Sequence, residues 1–185
     1  MKKRCEWAKD EPNITYHDNE WGVPLHDDVL LFEFLILEGA QAGLSWSTIL
    51  NRRNGYRIAF SNFDVVAVSK YTQNHVKKLI QNKDIIRNKL KINSAINNAK
   101  QFIKIQKEFG SFDEYLWSFV NHKPIKNKFK KHSDLPAYTI ISEKLSQDLK
   151  KHGFTFVGPT ICYALMQAVG LVNDHTVDCF KYLKL

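Results

Sequence analysis

The sequence predicts an all-α fold, and three features carry that expectation. Apolar residues recur at helical spacing along most of the chain, as Leu90, Ile96, Ala99, Ile103 and Phe109 do within residues 87–109. Capping residues and glycines punctuate these stretches where helices start and stop. No two segments read as a convincing pair of strands. The 185 residues suffice for a single domain, 1–185, with room for two small lobes that share a core.

Taken in order, Asp27 and Asp28 form a helix start before Val29-Leu30-Leu31-Phe32, and that helix reaches about Ala42 before Gly43 breaks it. Residues 45–60 form a second helical stretch with Trp46, Ile49 and Leu50 at helical spacing, weakened in the middle by Asn54-Gly55. Asn62-Phe63-Asp64 caps a short helix, and Thr72 caps another that runs through Ile80. The long amphipathic helix 87–109 is next, then a short one over 111–120 with Trp117 inward. Residues 121–134 read as a basic loop. A helix over 140–151 ends at His152-Gly153, and Pro159 opens the last long helix, to Ala168.

Charge is unevenly distributed. The chain carries a net +8, yet residues 1–40 hold four Lys/Arg against nine Asp/Glu, so the remainder carries +13. A basic remainder suits a polyanion such as nucleic acid, although a solvated lysine-rich surface gives the same count. Arg87, Lys89 and Lys91, with Lys126, Lys128, Lys130 and Lys131, are the candidate phosphate contacts. No apolar run is long enough to span a bilayer, and the first residues lack the apolar stretch of a signal peptide, which predicts an intracellular, cytoplasmic protein. Three cysteines cannot all pair, so a disulfide framework is not expected.

Three segments carry candidate chemistry. His175 and Cys179 stand at i and i+4, a spacing that puts both on one face of a helix. With Cys5 and His17 they make a Cys2His2 set, the shell of a closed structural zinc site; the alternative is four independent residues. The other histidines, His26, His75, His122, His132 and His152, show no paired spacing and read as surface residues. The segment His152-Gly153-Phe-Thr-Phe-Val-Gly158-Pro159-Thr160 joins two helices through a turn bounded by glycines. Such a turn lets backbone approach a phosphate, and the helix after it offers free N–H groups to an anion; an ordinary helical hairpin with a glycine cap is the alternative. Finally, Tyr16-His-Asp-Asn-Glu-Trp-Gly-Val-Pro24 is followed by Glu38 in an otherwise apolar helix and by Trp46 beyond the glycine break. A carboxylate among apolar neighbours is costly without a partner or a task, and an acid with aromatic faces is what a pocket for an extruded base needs. A rim carboxylate bonded to a helix end is the other reading of Glu38, and core packing the default for Trp7, Trp21, Trp46 and Trp117.

Taken together, Tyr16–Pro24, Leu37-Glu-Gly39, Gln41-Ala-Gly-Leu-Ser-Trp46, Trp117-Ser-Phe-Val-Asn-His122, Phe156-Val-Gly158, Cys162-Tyr163, Met166-Gln-Ala168 and Gly170-Leu-Val-Asn-Asp-His175 closely resemble the 3-methyladenine DNA glycosylase I (Tag) family, in colinear order over nearly the whole chain. The resemblance implies a helix-hairpin-helix glycosylase fold, with zinc held by Cys5, His17, His175 and Cys179 so as to tie the two ends of the chain together. It implies base contacts from Tyr16, Glu38 and Trp46, with Trp7 beside the pocket. It implies DNA contacts from Gly153, Gly158 and Thr160, and a Gly43-Leu44 turn that fills the gap left by the flipped base. The resemblance is loose over 121–136. The wider superfamily carries a catalytic aspartate after the second hairpin helix; Asp174 lies nearby but directly precedes a zinc ligand. Its strand-cleaving members carry a lysine just after the hairpin glycine, where Pro159 and Thr160 stand here.

The resemblance and the residues together predict a monofunctional glycosylase acting on double-stranded DNA that contains 3-methyladenine, a monomer with no obligatory protein partner and no membrane. Alkylation at N3 makes the base cationic and a ready leaving group, so little acid catalysis is needed. An anion beside that base stabilises the ground state as well as the transition state, which assigns Glu38 chiefly to selectivity and positioning. Two other classes remain in view. A non-catalytic DNA-binding module would need no acid in an aromatic pocket. A zinc hydrolase would need an open coordination position that four protein ligands deny.

Overall fold

The computed structural model describes residues 2–184. Its order is α1 (Asn13–Asn19), α2 (Asp28–Gln41), α3 (Trp46–Leu50), α4 (Arg53–Ala59), α5 (Val65–Ser69), α6 (Gln73–Leu79), α7 (Lys89–Phe109), α8 (Phe112–Ser118), β1 (Ile125–Lys126), α9 (Ile140–Lys151), α10 (Pro159–Ala168) and β2 (Val172–Asn173), with 3-10 turns at Ser61–Phe63 and His132–Asp134. No described helix is long and apolar enough to cross a membrane.

α2 is the axis of the molecule. Asp27 caps it by accepting from the Leu30 amide, and every residue from Leu31 to Ala40 is buried. A helix buried all round needs neighbours on every side, and α3, α7, α8 and α10 supply them. Below α2, Phe32 packs edge-on to Phe102 of α7, whose ring stacks on Phe112 of α8 at 4.1 Å. Trp117 is buried beneath it and donates to the Leu25 carbonyl.

Four expectations need correction. The fold is mostly helical rather than all-α, because β1 and β2 pair in parallel, Ile125 beside Val172 and Lys126 beside Asn173. Two residues per strand leave no alternation for a sequence pattern to show. The stretch 45–60 is two helices, α3 and α4, separated at Asn51-Arg52. Gly55 sits inside α4 because the backbone of Asp84 passes so close that a Cβ would fall 2.3 Å from its carbonyl oxygen. In α7, Leu90 and Phe109 are 69% and 42% exposed, and the buried stripe runs instead through Ile92, Ala95, Ile96, Ala99, Phe102 and Ile105. Leu90 and Phe109 lie in the end turns, where spacing continues the stripe but covering neighbours do not. Finally, His175 and Cys179 lie on an irregular turn, not on a helix, and the Cys179 amide closes it on the Thr176 carbonyl.

Candidate active site and metal cluster

A cavity of about 500 Å³ opens between the start of the chain, α2, α3, α10 and the loop before α9. Trp7, Tyr16, Glu38 and Trp46, the four residues expected to face a base, all line it. So do Trp21, Gln41, Thr160, Tyr163, Gln167, His132 and the segment Leu135-Pro136-Ala137. No lysine lines it. Its aromatic wall is a connected set. Trp7 meets Tyr16 and Trp21, and Tyr16 meets Trp46 at 5.3 Å and Phe34 at 6.2 Å, all tilted or edge-on.

Glu38 reaches this cavity because α2 places it one turn beyond Phe34, on the face that α1 and α3 leave open. It is 4% exposed, and among the described residues no side-chain hydrogen bond or ion pair reaches its carboxyl group. Burial raises that carboxyl to about 8. Burial, with the carboxyl groups of Glu38 and Glu20 nearby, likewise holds the Tyr16 phenol well above its ordinary value. Trp46 adds a second unmet demand. Its indole N–H is buried without an acceptor, the one such side-chain atom among the described residues. Unsatisfied polar groups of this kind are rare in folded proteins and concentrate where a ligand completes them.

The rest of the wall is firmly held. Asp174 is buried, accepting from Tyr163 Oη, from Gln167 Nε2 at 2.7 Å and from Asn127 Nδ2 at 2.7 Å. Its carboxylate therefore stands behind two cavity-lining side chains rather than on the surface of the cavity. Arg53 bonds Glu33 and Glu20 and lies over the Phe34 ring at 5.0 Å, bracing the aromatic wall from outside.

The turn after α2 presents Gly43 at φ +77°, a left-handed conformation suited to glycine, and Leu44 at 40% exposure. The turn from His152 to Gly158 links α9 to α10, with Gly153 at φ +85° and Gly158 capping α10 ahead of Pro159. Among the expected phosphate contacts, Lys91 is a correction: its ammonium is turned inward onto backbone carbonyls of the α2 end, a geometry invisible to charge counting. His132, expected as a plain surface residue, is exposed but also lines the cavity; only the folding back of its loop reveals this.

Away from the cavity opening, Cys5, His17, His175 and Cys179 converge, all buried, with their ligand atoms within 4.8 Å of one another. Cys5 Sγ lies 3.5 Å from His175 Nδ1, and Cys179 Sγ lies 3.4 Å from His17 Nε2 and 3.5 Å from His175 Nδ1. The sulfur–nitrogen edge of a tetrahedral zinc site is about 3.5 Å, from bond lengths of roughly 2.3 and 2.05 Å. The outer ring nitrogens have their own partners. His17 Nδ1 donates to Asp18 Oδ1 at 2.9 Å, and His175 Nε2 donates to the Trp21 carbonyl at 3.1 Å. These bonds turn the other ring nitrogens inward toward the two sulfurs, the orientation a metal would require. The hydrogen bond between the thiols raises Cys5, with burial adding to it, and lowers Cys179. The pair so favours a thiolate at Cys179 beside a thiol at Cys5, and a metal ion held here would take both as thiolates. Cys162, the third cysteine, is elsewhere, its thiol donating to the Val157 carbonyl and raised to about 12 by burial.

The chain is similar to known proteins over most of its length. The sequence model of the methyladenine glycosylase family matches residues 7–182. DNA-3-methyladenine glycosylase 1 of Escherichia coli (strain K12) is 48% identical over 181 residues, covering 97% of each chain. A crystal structure of 3-methyladenine DNA glycosylase I superposes with a TM-score of 0.94 at 45% identity, over 96% of this chain and 98% of that one. A second, a tyrosine-to-phenylalanine variant of 3-methyladenine DNA glycosylase I in complex with 3-methyladenine, superposes with a TM-score of 0.94 at 35% identity, over 97% of each. Sequence and three-dimensional structure agree over almost the full length of the chain, and the protein belongs to the methyladenine glycosylase family.

Proposed function

We propose that this protein is a monofunctional base-excision-repair glycosylase that hydrolyses the N-glycosidic bond of 3-methyladenine in double-stranded DNA. The observation that carries the reading is a buried, unpaired Glu38 facing an aromatic cavity in a chain related over its whole length to enzymes of that name. The whole chain acts as one domain, with the pocket between its two ends' contributions, and binds as a monomer.

The chemistry is governed by charge. Glu38 pairs in charge with a cationic base only when ionised, and burial opposes ionisation. A cationic base repays that cost by pairing with the carboxylate; neutral adenine cannot. Binding of the damaged base therefore expels the Glu38 proton, and selectivity resides in that exchange. Trp46 stacks on the base, Tyr16 hydrogen-bonds to it, and Trp7 closes the side of the pocket. Water then attacks C1′ of the sugar. The glycosidic bond breaks with its electron pair passing to the base, which leaves as neutral 3-methyladenine, and the water's proton goes to solvent. The absence of lysine from the cavity lining among the described residues supports water over an amine as nucleophile, since only an amine forms the Schiff base that precedes strand cleavage.

The α9–α10 turn is read as a helix-hairpin-helix whose Gly153 and Gly158 backbone, with Thr160, grips phosphate, while Gly43-Leu44 enters the duplex at the site of the extruded base. Lysines of 126–131 add salt-dependent affinity. The Cys5, His17, His175 and Cys179 set fits zinc in donor type, spacing and outer hydrogen bonds. Such an ion would tie residues near both ends of the chain and serve the fold rather than the reaction.

Incubation with methylated duplex DNA tests the reading. Free 3-methyladenine should appear on chromatography, with abasic strands that break only after alkali. Borohydride added during turnover should trap no protein–DNA adduct; an adduct would show an amine nucleophile, and no released base would refute the activity. Elemental analysis should find about one zinc per chain, and chelation should lower the melting temperature.

A further inference from the structure

The N-terminal half of α7 carries an unusual polar stripe toward the core. Ser94, Asn97 and Asn98 all bind the α9–α10 turn. Asn98 exchanges two hydrogen bonds with the backbone of Thr155, both at 2.9 Å, Ser94 Oγ donates to the Thr155 carbonyl, and Asn97 Nδ2 donates to the Gly153 carbonyl at 2.8 Å. One turn earlier on the same face stands Lys91. Its Nζ donates to the Ala40 carbonyl at 2.8 Å and to the Ala42 carbonyl at 2.7 Å. These are carbonyls of the last turn of α2 and its cap, the residues immediately before Gly43-Leu44. A lysine ammonium there satisfies acceptors that the helix cannot and sits at the negative end of its dipole. Partial burial lowers the Lys91 ammonium from its ordinary value, and those two bonds hold it in place. Beyond the clamp little holds the turn. A Cβ at Gly43 would meet nothing within 4 Å, and Leu44 keeps one backbone bond, to the Gln41 carbonyl.

We infer that Lys91 is a positioning residue for base extrusion: it fastens the Gly43-Leu44 turn to α7, the same helix that holds the DNA-gripping α9–α10 turn, and so sets the reach of Leu44 relative to the bound backbone. This rests on the reading of Leu44 as the side chain that enters the duplex. Lys91 touches neither base nor sugar, and it acts only through where Leu44 stands.

The test compares Lys91→Met, Lys91→Arg and Leu44→Ala with the unaltered protein, each confirmed folded by its melting curve. Three quantities are read: single-turnover release of 3-methyladenine from methylated duplex, affinity for free 3-methyladenine, and fluorescence of 2-aminopurine placed opposite a tetrahydrofuran abasic analogue. Lys91→Met should slow release about tenfold or more, since misplacing a group by an ångström commonly costs that much or more. It should also remove the fluorescence change while leaving free-base affinity within about twofold, because the pocket is untouched. Leu44→Ala should behave alike, and Lys91→Arg, which keeps two N–H donors for two carbonyls, should restore most of the rate. If Leu44→Ala is impaired and Lys91→Met is not, the positioning role is overturned and the reading of Leu44 survives. If Leu44→Ala is unimpaired, both fall. A Lys91→Met protein that loses free-base affinity in step with excision would show general support of the fold and overturn the proposal.

Discussion

Glu33 and Glu38 stand five residues apart on α2, both buried to within a few per cent, in the same apolar run of sequence. Glu33 receives Arg53 Nε at 2.5 Å and Arg57 Nε at 3.0 Å, and Arg53 bonds Glu20 as well. Glu38 receives nothing from the described residues and faces a cavity. One carboxylate has been paired by the fold, and the other has been left for something that arrives. Burial of an acid does not by itself mark a site; the absence of a compensating cation does.

The comparison breaks most visibly if the two glutamates respond alike to loss of charge. Glu33→Gln leaves Arg53 with Glu20 as its remaining carboxylate partner and should destabilise the protein by about 1–3 kcal/mol. Chemical denaturation would read it, and a Glu33→Gln protein as stable as the unaltered one would end the contrast. Glu38→Gln should slow release of 3-methyladenine about 100-fold, on the order of 3 kcal/mol, as the loss of an active-site electrostatic partner commonly does. Its affinity for undamaged DNA should not change. Near-normal release would make Glu38 a mere core residue.

The same substitution should stabilise the fold. The Glu38 carboxyl is raised by burial from 4.5 to about 8. Its neutral form is the one the fold prefers, so the unaltered protein loses stability as pH rises between those values, whereas glutamine has no proton to lose. Glu38→Gln should therefore match the unaltered protein near pH 4 and exceed it by about 5 kcal/mol above pH 8. Greater stability with less activity would separate Glu38 from Glu33 in sign as well as size. The smallest effect sharpens the assignment further. If the ionised carboxyl is what pairs with a cationic base, kcat/KM on methylated DNA should rise about tenfold per unit below pH 8 and level off above it. Glu38→Gln should flatten that limb, and an unchanged limb in the variant would assign it to another group.

What could be read directly from residues was whatever depends on near neighbours in the chain. Asp27 as the cap of α2 and Pro159 opening α10 reflect local backbone chemistry, and α2 and α10 begin where that chemistry puts them. Glu38 stood out because it interrupts an apolar run, and Trp7, Tyr16 and Trp46 line its cavity. His132, Leu135, Tyr163 and Gln167 were not singled out for the pocket, because each belongs to it only through packing of distant segments. Gln167 carried a trace of its role in the Met166-Gln-Ala168 motif; His132 carried none.

Sequence alone determined the helical character, the segment boundaries set by caps and prolines, the basic remainder and the ligand types of the Cys/His set. These are properties of composition and of contacts a few residues long. Tertiary structure decided which glutamate is paired, since Arg53 and Arg57 come from another helix. It also turned Lys91 from a surface charge into a clamp on α2, and joined Cys5 to His175 across 170 residues of chain. Charge and polarity are written in every residue, but whether a buried charge is satisfied depends on what meets it in space. That is settled only when the chain closes on itself.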